Sequence, residues 1–534
     1  MIRDSLEQSV RDALVAIGVD PPASVPLEQP ARREHGDWSS TVALALKKQT
    51  GRPPRELASQ LVDQLTASPP AHVERIELAG PGFVNFHLRS TWLTDVLVEV
   101  VTAGETDYGR HDFGDGTRVD VEFVSANPTG PLHAGHGRWA AYGDALCNIL
   151  ERCGYATTRE YYLNDRGTQM RLFADSLAAA KAGLPIPEGG YQGEYIKDWA
   201  AEMPDGADPA QWGYERVRRD LASTLARMGV EFDVWFSEQS LVDNDNVVAT
   251  LDDLREHGEV YEADGAIWLR TTDFGDDKDR VLVKSDGEPT YLLPDIAYHR
   301  DKFARGHDLL IDVWGADHHG YVGRLKVGIQ ALGHDPDELE IILGQLVLLV
   351  RHGEPVRLSK RAGDLVLLDD LLDAVGPDVA RLTFLLQSLD SRQTVDLDLI
   401  TAQSMENPVF YVQMAHARIA GIARRATEVG IERVPLEQAD LSLLTHEREL
   451  EVLRTLFELP DVVAMACVER APHKVTTWVR ELADRFHSFY HECYVIGEDV
   501  PPELTQARLW LVEAARIGLA IGLGLLGVSA PESM

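Results

Sequence analysis

Cysteine is nearly missing from this chain: four in 534 residues, Cys147, Cys153, Cys467 and Cys493. Their spacing forms neither a metal-ligand pattern nor a disulfide framework, which argues against a disulfide-stapled secreted scaffold and suits a reducing compartment. Long apolar runs are missing too. The longest mainly apolar stretches, residues 341–350 and 517–528, are too short to cross a bilayer as helices, so no membrane partner is expected. The opening residues, MIRDSLEQSV, carry charges where an export signal needs an apolar core, and the expected location is cytoplasmic. Positive charge is also short, with 51 Lys+Arg against 86 Asp+Glu and a net charge of −35. That balance excludes a uniformly basic face but not a local basic groove for nucleic acid. Most of the excess acid lies in residues 111–390, which carry −23, with a dense acidic run over 252–279. A solvated surface, or a salt-adapted host, produces the same imbalance.

What is present is an ordinary globular composition, 44% hydrophobic and 26% charged. The length implies about three or four cores at roughly 150 residues each. Residues 5–17 and 54–65 have apolar side chains at helical spacing, and Asp37 is placed to cap a helix over 42–46. Strands are expected over 72–78 and 82–88, giving an α+β N-terminal unit over 1–112. A second unit, 113–370, opens on a branched, aromatic strand over 119–124 and then alternates strand and helix patterns, ending on one apolar run over 340–350. The alternation predicts an α/β fold, a Rossmann-type parallel sheet with surface insertions at 183–189 and in the acidic run. From residue 369 onward strand signals disappear, and helices are expected over 377–389, 408–427, 443–468, 473–494 and 504–526. The pair Asn407-Pro408 reads as a cap with proline at the first helical position. Residues 371–534 are therefore expected to form an all-α bundle.

The strongest local signal is Asn127-Pro128-Thr129-Gly130-Pro131-Leu132-His133-Ala134-Gly135-His136. It falls where the first strand of such a sheet turns into its first helix, the edge at which doubly wound sheets bind nucleotides. His133 and His136, beside the unpaired N–H groups of a helix start, supply donors for a phosphate whose charge rises during displacement. Gly135 leaves room for a flat base. Some 220 residues later, Arg357-Leu358-Ser359-Lys360-Arg361-Ala362-Gly363 follows a late apolar run. A basic, glycine-ended loop there can fold over a triphosphate, with Lys360 as a mobile charge stabilising the leaving pyrophosphate.

With these two strings the sequence resembles the class I aminoacyl-tRNA synthetases: HAGH is similar to their HIGH signature and RLSKR to KMSKS, with Lys360 retained. Within the class, EFVSANPTGPLHAGHGR, WGADHHGYVGR, NPVFYVQMAHARI and the final APESM are similar to the arginyl-tRNA synthetases, in the family's order along the whole chain. The resemblance implies activation of L-arginine by ATP and transfer to tRNA(Arg), with tRNA bound before activation. It makes His133, His136 and Lys360 catalytic, and puts Gly135, Gly315, Asp317, His318 and Ser359 on the ATP side. Magnesium would arrive with ATP, held by phosphates and water. A guanidinium is planar with five donors and calls for carboxylates, and Asp295, one residue past a proline, and Glu238 are candidates. By resemblance, Glu238, Tyr291 and Asp295 match guanidinium-binding positions. Glu122, Ser125 and Asn127 match those holding the α-amino and carboxylate ends, and His319 matches a further pocket wall. No long insertion calls for an editing domain, since lysine or a neutral isostere would leave carboxylates unsatisfied.

On the RNA side, Asp378-Val379-Ala380-Arg381 resembles the DALR signature, and Tyr411 and Gln413 could stack on or hydrogen-bond to a splayed base. The N-terminal unit is similar to the family's tRNA-elbow domain, in which Phe83 and Asn85 would share one strand face. Rival readings are an HxGH nucleotidyltransferase of small molecules, which would exchange pyrophosphate without tRNA or arginine, and a metal-dependent hydrolase using the histidines. Asp317, His318 and His319 are adjacent in sequence and so poorly placed to converge on one ion, and no resident metal is expected. A third rival is a synthetase-like RNA-binding module without catalysis. Gly522-Leu523-Gly524-Leu525-Leu526-Gly527 fits GxGxxG but is followed by no βαβ unit. The expected state is a monomer.

Overall fold

The computed structural model describes residues 2–30, 32–356, 366–402 and 406–533. They divide into two compact units. One comprises residues 1–108, 419–458 and 484–518, and the other residues 109–418, 459–483 and 519–534.

In the first unit four strands, β1 (Leu27–Glu28), β2 (Trp38–Ser40), β3 (Val73–Ala79) and β4 (Phe83–Leu88), form an antiparallel sheet in the order β1-β2-β4-β3. The helix Ile2–Ala16 buries Leu6, Val10, Ala13 and Leu14, and Pro54–Ala67 buries Leu57, Ala58, Leu61 and Leu65. This is the i, i+4, i+7 stripe that the sequence spacing announced. Asp37 does not cap a helix. Its carboxylate accepts the Leu88 N–H at 2.7 Å, and the short helix Val42–Ala45 starts at Thr41 without a side-chain cap. The residues between Asp37 and that helix are taken up by β2, so the expected cap is too far from the helix start.

The second unit is built on a parallel five-stranded sheet. Its strands are β5 (Arg118–Glu122), β6 (Ala156–Leu163), β7 (Val234–Ser237), β11 (Leu309–Gly315) and β12 (Leu339–Gly344), ordered β12-β11-β5-β6-β7. The chain starts in the middle at β5, winds outward through the helix His136–Arg152 to β6 and on to β7. It returns through an antiparallel sheet of β8 (Val260–Ala263), β9 (Ala266–Leu269) and β10 (Arg280–Val283) and the helix Leu292–Ala304, to lay β11 on β5's other side. The gap between the carboxyl ends of β5 and β11 is thus the switch point where such sheets hold ligands. The helix His136–Arg152 packs close enough that a Cβ on Gly143 would lie 2.1 Å from the Phe123 ring.

Three expectations fail locally. The apolar run over 340–350 is not one element: it breaks after β12, and β13 (Val347–Arg351) joins a second sheet with β14 (Glu354–Pro355) and β15 (Gln393–Asp396). The buried Arg138 guanidinium takes the Gln345 carbonyl at 2.9 Å, a group that a continuous strand would spend on its neighbour. β15 also overturns the expectation that strands end before residue 369. It pairs in parallel with β13, Val347 opposite Gln393, a partner too distant in sequence to be read locally. The helix expected over 377–389 runs as Leu368–Phe384, broken where Gly376 takes φ +78° before Pro377.

The later helices are Pro408–Glu428, Glu447–Val468, Pro472–Glu492 and Pro502–Leu525. Asn407 caps the first as expected, its Oδ1 accepting the Val409 N–H at 3.0 Å while its Nδ2 donates to Ile400 and Ala402 carbonyls. The GxGxxG string serves packing. A Cβ on Gly522 would meet Val479 and Trp478, and one on Gly527, at φ +64°, would meet the Arg381 guanidinium.

Candidate active site

A cavity of about 380 Å³ opens at the switch point, lined from β5 by Glu122, from the following turn by Val124 and Ser125, and from the HAGH segment by His133, His136 and Trp139. The opposite wall comes from Asp295, Tyr298 and His299 on the helix Leu292–Ala304 and from Trp314, Gly315, Asp317, His318 and Tyr321 after β11. Among its described lining residues are three carboxylates and neither lysine nor arginine.

The turn after β5 is strained. Val124 and Ser125 take φ of +69° and +37°, a region a β-branched residue avoids. The Tyr161 hydroxyl accepts the Ala126 N–H at 3.0 Å and lies 3.1 Å from the same residue's carbonyl, pinning the turn. The result is that Ser125 Oγ donates to Glu122 Oε1 at 2.9 Å while accepting the Tyr162 N–H. The histidine segment is fixed as firmly. Ala134 N–H bonds to the Val366 carbonyl and Leu368 N–H to the Leu132 carbonyl, so His133 bridges antiparallel to Leu367, at the start of the helix Leu368–Phe384. The imidazoles of His133 and His136 stack with centroids 3.6 Å apart, and His136 Nδ1 accepts the His133 backbone N–H. That bond places the neutral ring's proton on His136 Nε2.

Asp295 sits in the first turn of its helix, and Tyr321 Oη donates to its Oδ2 at 2.5 Å. Burial pushes its carboxyl up to about 6, against the pull of the Tyr321 bond and His299, with Glu238 and Glu122 adding to the rise. Glu238 opens the helix Glu238–Asp243 beside Tyr162, with Arg166 3.9 Å away, and burial raises its pKa too. Asp317 curls back so that a Cβ on Gly315 would lie 2.5 Å from its carboxylate, and the His318 ring stands 5.8 Å from Trp314.

Of the residues expected here, the structure brings Glu122, Ser125, His133, His136, Asp295, Gly315, Asp317 and His318 to one cavity, with Gly135 at the helix cap and Glu238 behind Tyr162. It does not bring in three others. Tyr291 is 88% exposed, and Asn127 and His319 are also exposed and outside the lining. Ser359 and Lys360, with the whole RLSKR string, lie outside the described residues. The sequence reading missed Tyr162, Tyr298, His299 and Tyr321 as wall residues. A signal was available: Asp295, Tyr298, His299 and Lys302 recur at i, i+3, i+4 and i+7, a polar stripe along one face of a helix.

The expected RNA contacts also look inward. Asn85 is 4% exposed and its Oδ1 accepts the Ser39 hydroxyl at 2.7 Å, while Phe83 is half-buried. Gln413 is buried, donating to Asp378 at 2.9 Å and to the Ser529 carbonyl, and Tyr411 is half-buried. The DALR-like charges grip the chain's last residues. Asp378 accepts the Ser529 N–H and hydroxyl, and Arg381 donates to the Leu526, Met228 and Gly229 carbonyls and to Asp144.

Three family profiles match in order. They are the arginyl tRNA synthetase N terminal domain over residues 4–88, the class I (R) tRNA synthetase catalytic domain over 87–183 and 206–402, and the DALR anticodon binding domain over 412–534. A curated arginine–tRNA ligase of Frankia alni is 48% identical over 534 residues, covering 97% of this chain and 96% of that protein. Another, of Carboxydothermus hydrogenoformans, is 44% identical over 555 residues, covering 100% of this chain and 99% of the relative. The solved arginyl-tRNA synthetase of Thermus thermophilus superposes with a TM-score of 0.77 at 22% identity, covering 100% of both chains, a likeness of fold.

Proposed function

The chain belongs to the arginyl-tRNA synthetase family, and from that footing we propose how its residues divide the work. As a class I enzyme it activates L-arginine with ATP and esterifies tRNA(Arg) with the product. The observation that carries the assignment of roles is the acidic half of the cavity, Asp295 and Glu122 with no lysine or arginine among its described walls, set against two stacked histidines.

A free carboxyl raised to about 6 by burial is a group waiting for a cation, because a guanidinium both restores the charge and satisfies the bonds. Asp295 then takes the guanidinium, with Glu238 and Tyr162 beyond it, and Glu122 and Ser125 take the α-amino end. Asn127, Tyr291 and His319 stand farther out and serve only if substrate or tRNA draws them in. The arginine carboxylate is left facing the histidines. There its oxygen attacks the ATP α-phosphorus, the bond to the β-phosphate oxygen breaks, and arginyl-adenylate and pyrophosphate form. His133 and His136 Nε2–H stabilise the charge growing on phosphate oxygens, and Lys360 with Ser359 follows the departing pyrophosphate. No protein nucleophile takes part, so rate comes from position and electrostatics. Gly135, Gly315, Asp317 and His318 form the adenosine side. Magnesium, carried by ATP phosphates and water, would supply further charge neutralisation. In the second step a ribose hydroxyl of the tRNA's terminal adenosine attacks the arginyl carbonyl and AMP leaves.

The domains that fit this division are 1–112, 113–370 and 371–534, acting as a cytoplasmic monomer that binds tRNA before activation. Phe83 and Tyr411 offer the rings for tRNA, with Asn85 and Gln413 holding the surfaces that carry them. The test is arginine-dependent pyrophosphate exchange with and without transcribed tRNA(Arg). Asp295→Asn is expected to lose on the order of 10³-fold in kcat/KM for arginine, and Lys360→Ala to lose rate with arginine KM little changed. Full arginine selectivity in Asp295→Asn removes this pocket assignment.

A further inference from the structure

Register places three carboxylates in one row across the centre of the parallel sheet. Asp312 on β11 lies opposite Glu122 on β5, and Glu122 opposite Glu160 on β6. Residues directly paired across strands point to the same face, and Asp120, two residues before Glu122, joins them. Neighbouring strands are about 4.8 Å apart, so four acids share a patch that water barely reaches. Asp120, Asp312 and Glu160 are fully buried.

The helix Leu292–Ala304 lies over this patch. Lys302, 0% exposed, places Nζ 2.8 Å from Glu122 Oε2, 2.9 Å from Asp312 Oδ1 and 3.2 Å from Asp120 Oδ1. One turn back, the Tyr298 hydroxyl lies 2.9 Å from Glu122 Oε2 and 2.8 Å from Glu160 Oε1, and His299 Nε2 lies 2.8 Å from Asp312 Oδ2. Arg305, just past the helix, pairs with Glu160 at 2.6 Å. Asp120 is the farthest of the three acids from the ammonium, and burial pushes its carboxyl up, against Lys302 and with help from Glu160. The ammonium's closest partners in the row are Glu122 and Asp312.

Glu122 is thereby held from both ends, Oε2 by Lys302 and Tyr298 and Oε1 by Ser125. The same side chain is part of the cavity lining. We propose that Lys302 is a positioning residue for substrate. From behind the cavity wall its ammonium fixes the direction of Glu122, and so sets how tightly the α-ammonium of arginine is held. The inference rests on the reading that this α-ammonium lies against Glu122. Without Lys302 the carboxylate row loses its central cation, Glu122 Oε2 loses the partner that fixes its direction, and the hold on the α-ammonium loosens while the guanidinium end, anchored at Asp295, is untouched.

The test compares arginine with desamino-arginine, which lacks only the α-amino group, as a competitive inhibitor of tRNA-supported pyrophosphate exchange. In the wild type arginine binds the more tightly of the two, and Glu122→Gln erases that advantage. If it does not, the reading of Glu122 falls, whatever Lys302 does. Given that result, Lys302→Met is expected to raise arginine KM about 10- to 100-fold, the range found when the partner that orients a metal-binding side chain is removed. The inhibition constant of desamino-arginine and the KM for ATP stay within about twofold. Tyr298→Phe, which keeps the ring and removes the shared hydroxyl, covers the case in which Lys302→Met fails to fold. It should move arginine KM in the same direction by about 3- to 10-fold, again sparing the analogue. Parallel weakening of arginine and analogue, or an arginine KM unchanged in these variants, overturns the proposal.

Discussion

Lys302 and Arg381 are both sealed inside the second unit, at 0% and 1% exposure, yet their surroundings are opposite in kind. Lys302 lies among carboxylates. Burial works against its charge, but Asp312, Glu122, Asp120 and Glu160 outweigh burial and push its pKa well up. Arg381 lies mostly among backbone oxygens, those of Leu526, Met228 and Gly229, with the single carboxylate of Asp144. Arg138 repeats that second pattern, donating to the Gln345, Ser388 and Ser391 carbonyls, and burial pushes its pKa down to about 10. The flat, five-donor guanidinium suits a place where several chain segments end and their carbonyls need partners. The compact ammonium suits a point where opposed charges meet. The one kind of burial holds the fold together and the other tunes a site.

The comparison breaks first, and by the largest margin, at Arg381. Arg381→Met strands the buried Leu526 and Met228 carbonyls and the half-buried Gly229 carbonyl, while Asp144 keeps Arg159 at 3.1 Å. The expected cost is about 3–5 kcal/mol of stability, read as a fall in unfolding midpoint, with arginine KM in the folded fraction unchanged. A shift in KM without loss of stability would mean that Arg381, like Lys302, acts on the site.

The acidic side is sharpened by pH. Asp295 titrates near 6 in the free pocket because burial disfavours its charge. A raised carboxyl opposes folding as pH climbs from its ordinary value of 3.8 toward 6, so it adds no stability at neutral pH. For binding the sign reverses: the guanidinium needs the carboxylate, so arginine affinity is full above about pH 6. It falls roughly tenfold per pH unit below that. Exchange kinetics from pH 5 to 8, scored as arginine KM against ATP KM, check this. A flat arginine KM through that range would take Asp295 out of the pocket's chemistry.

These contrasts also separate what could be read from the sequence from what could not. HAGH was legible because a strand, a turn and a helix start are local, and their meeting at the sheet's edge follows from the α/β alternation. The carboxylate row was not. Asp120, Glu122 and Asp312 sit among apolar strand residues, a mild anomaly taken singly, and Glu160 follows a polar stretch that marks nothing. Their convergence on Lys302 depends on a register that joins residues 180 positions apart. The Asp378–Arg381 motif was found by resemblance, but its grip on Leu526 and Ser529 requires knowing where the chain's end lies. Asn85, Gln413 and Tyr291 show the reverse error. A polar or aromatic side chain on the right element does not say which way it faces, and two of the three are buried while the third stands in solvent.

The smallest effect belongs to the turn that aims Ser125 at Glu122. Val124 at φ +69° stores on the order of 1–3 kcal/mol of backbone strain, whereas glycine at the same place costs about 0.5–1 kcal/mol in chain entropy. Val124→Gly should therefore leave stability within about 1 kcal/mol of the wild type, on the stabilising side. Arginine KM should rise a few-fold, because a relaxed turn no longer forces Ser125 Oγ onto the carboxylate. Opposite signs for stability and binding would show that the strain is held for the sake of Glu122, as the buried charge of Lys302 is. A loss of more than about 2 kcal/mol would instead mean that Val124 packing outweighs the strain, and would place the turn with Arg381 and Arg138 among the parts that hold the fold.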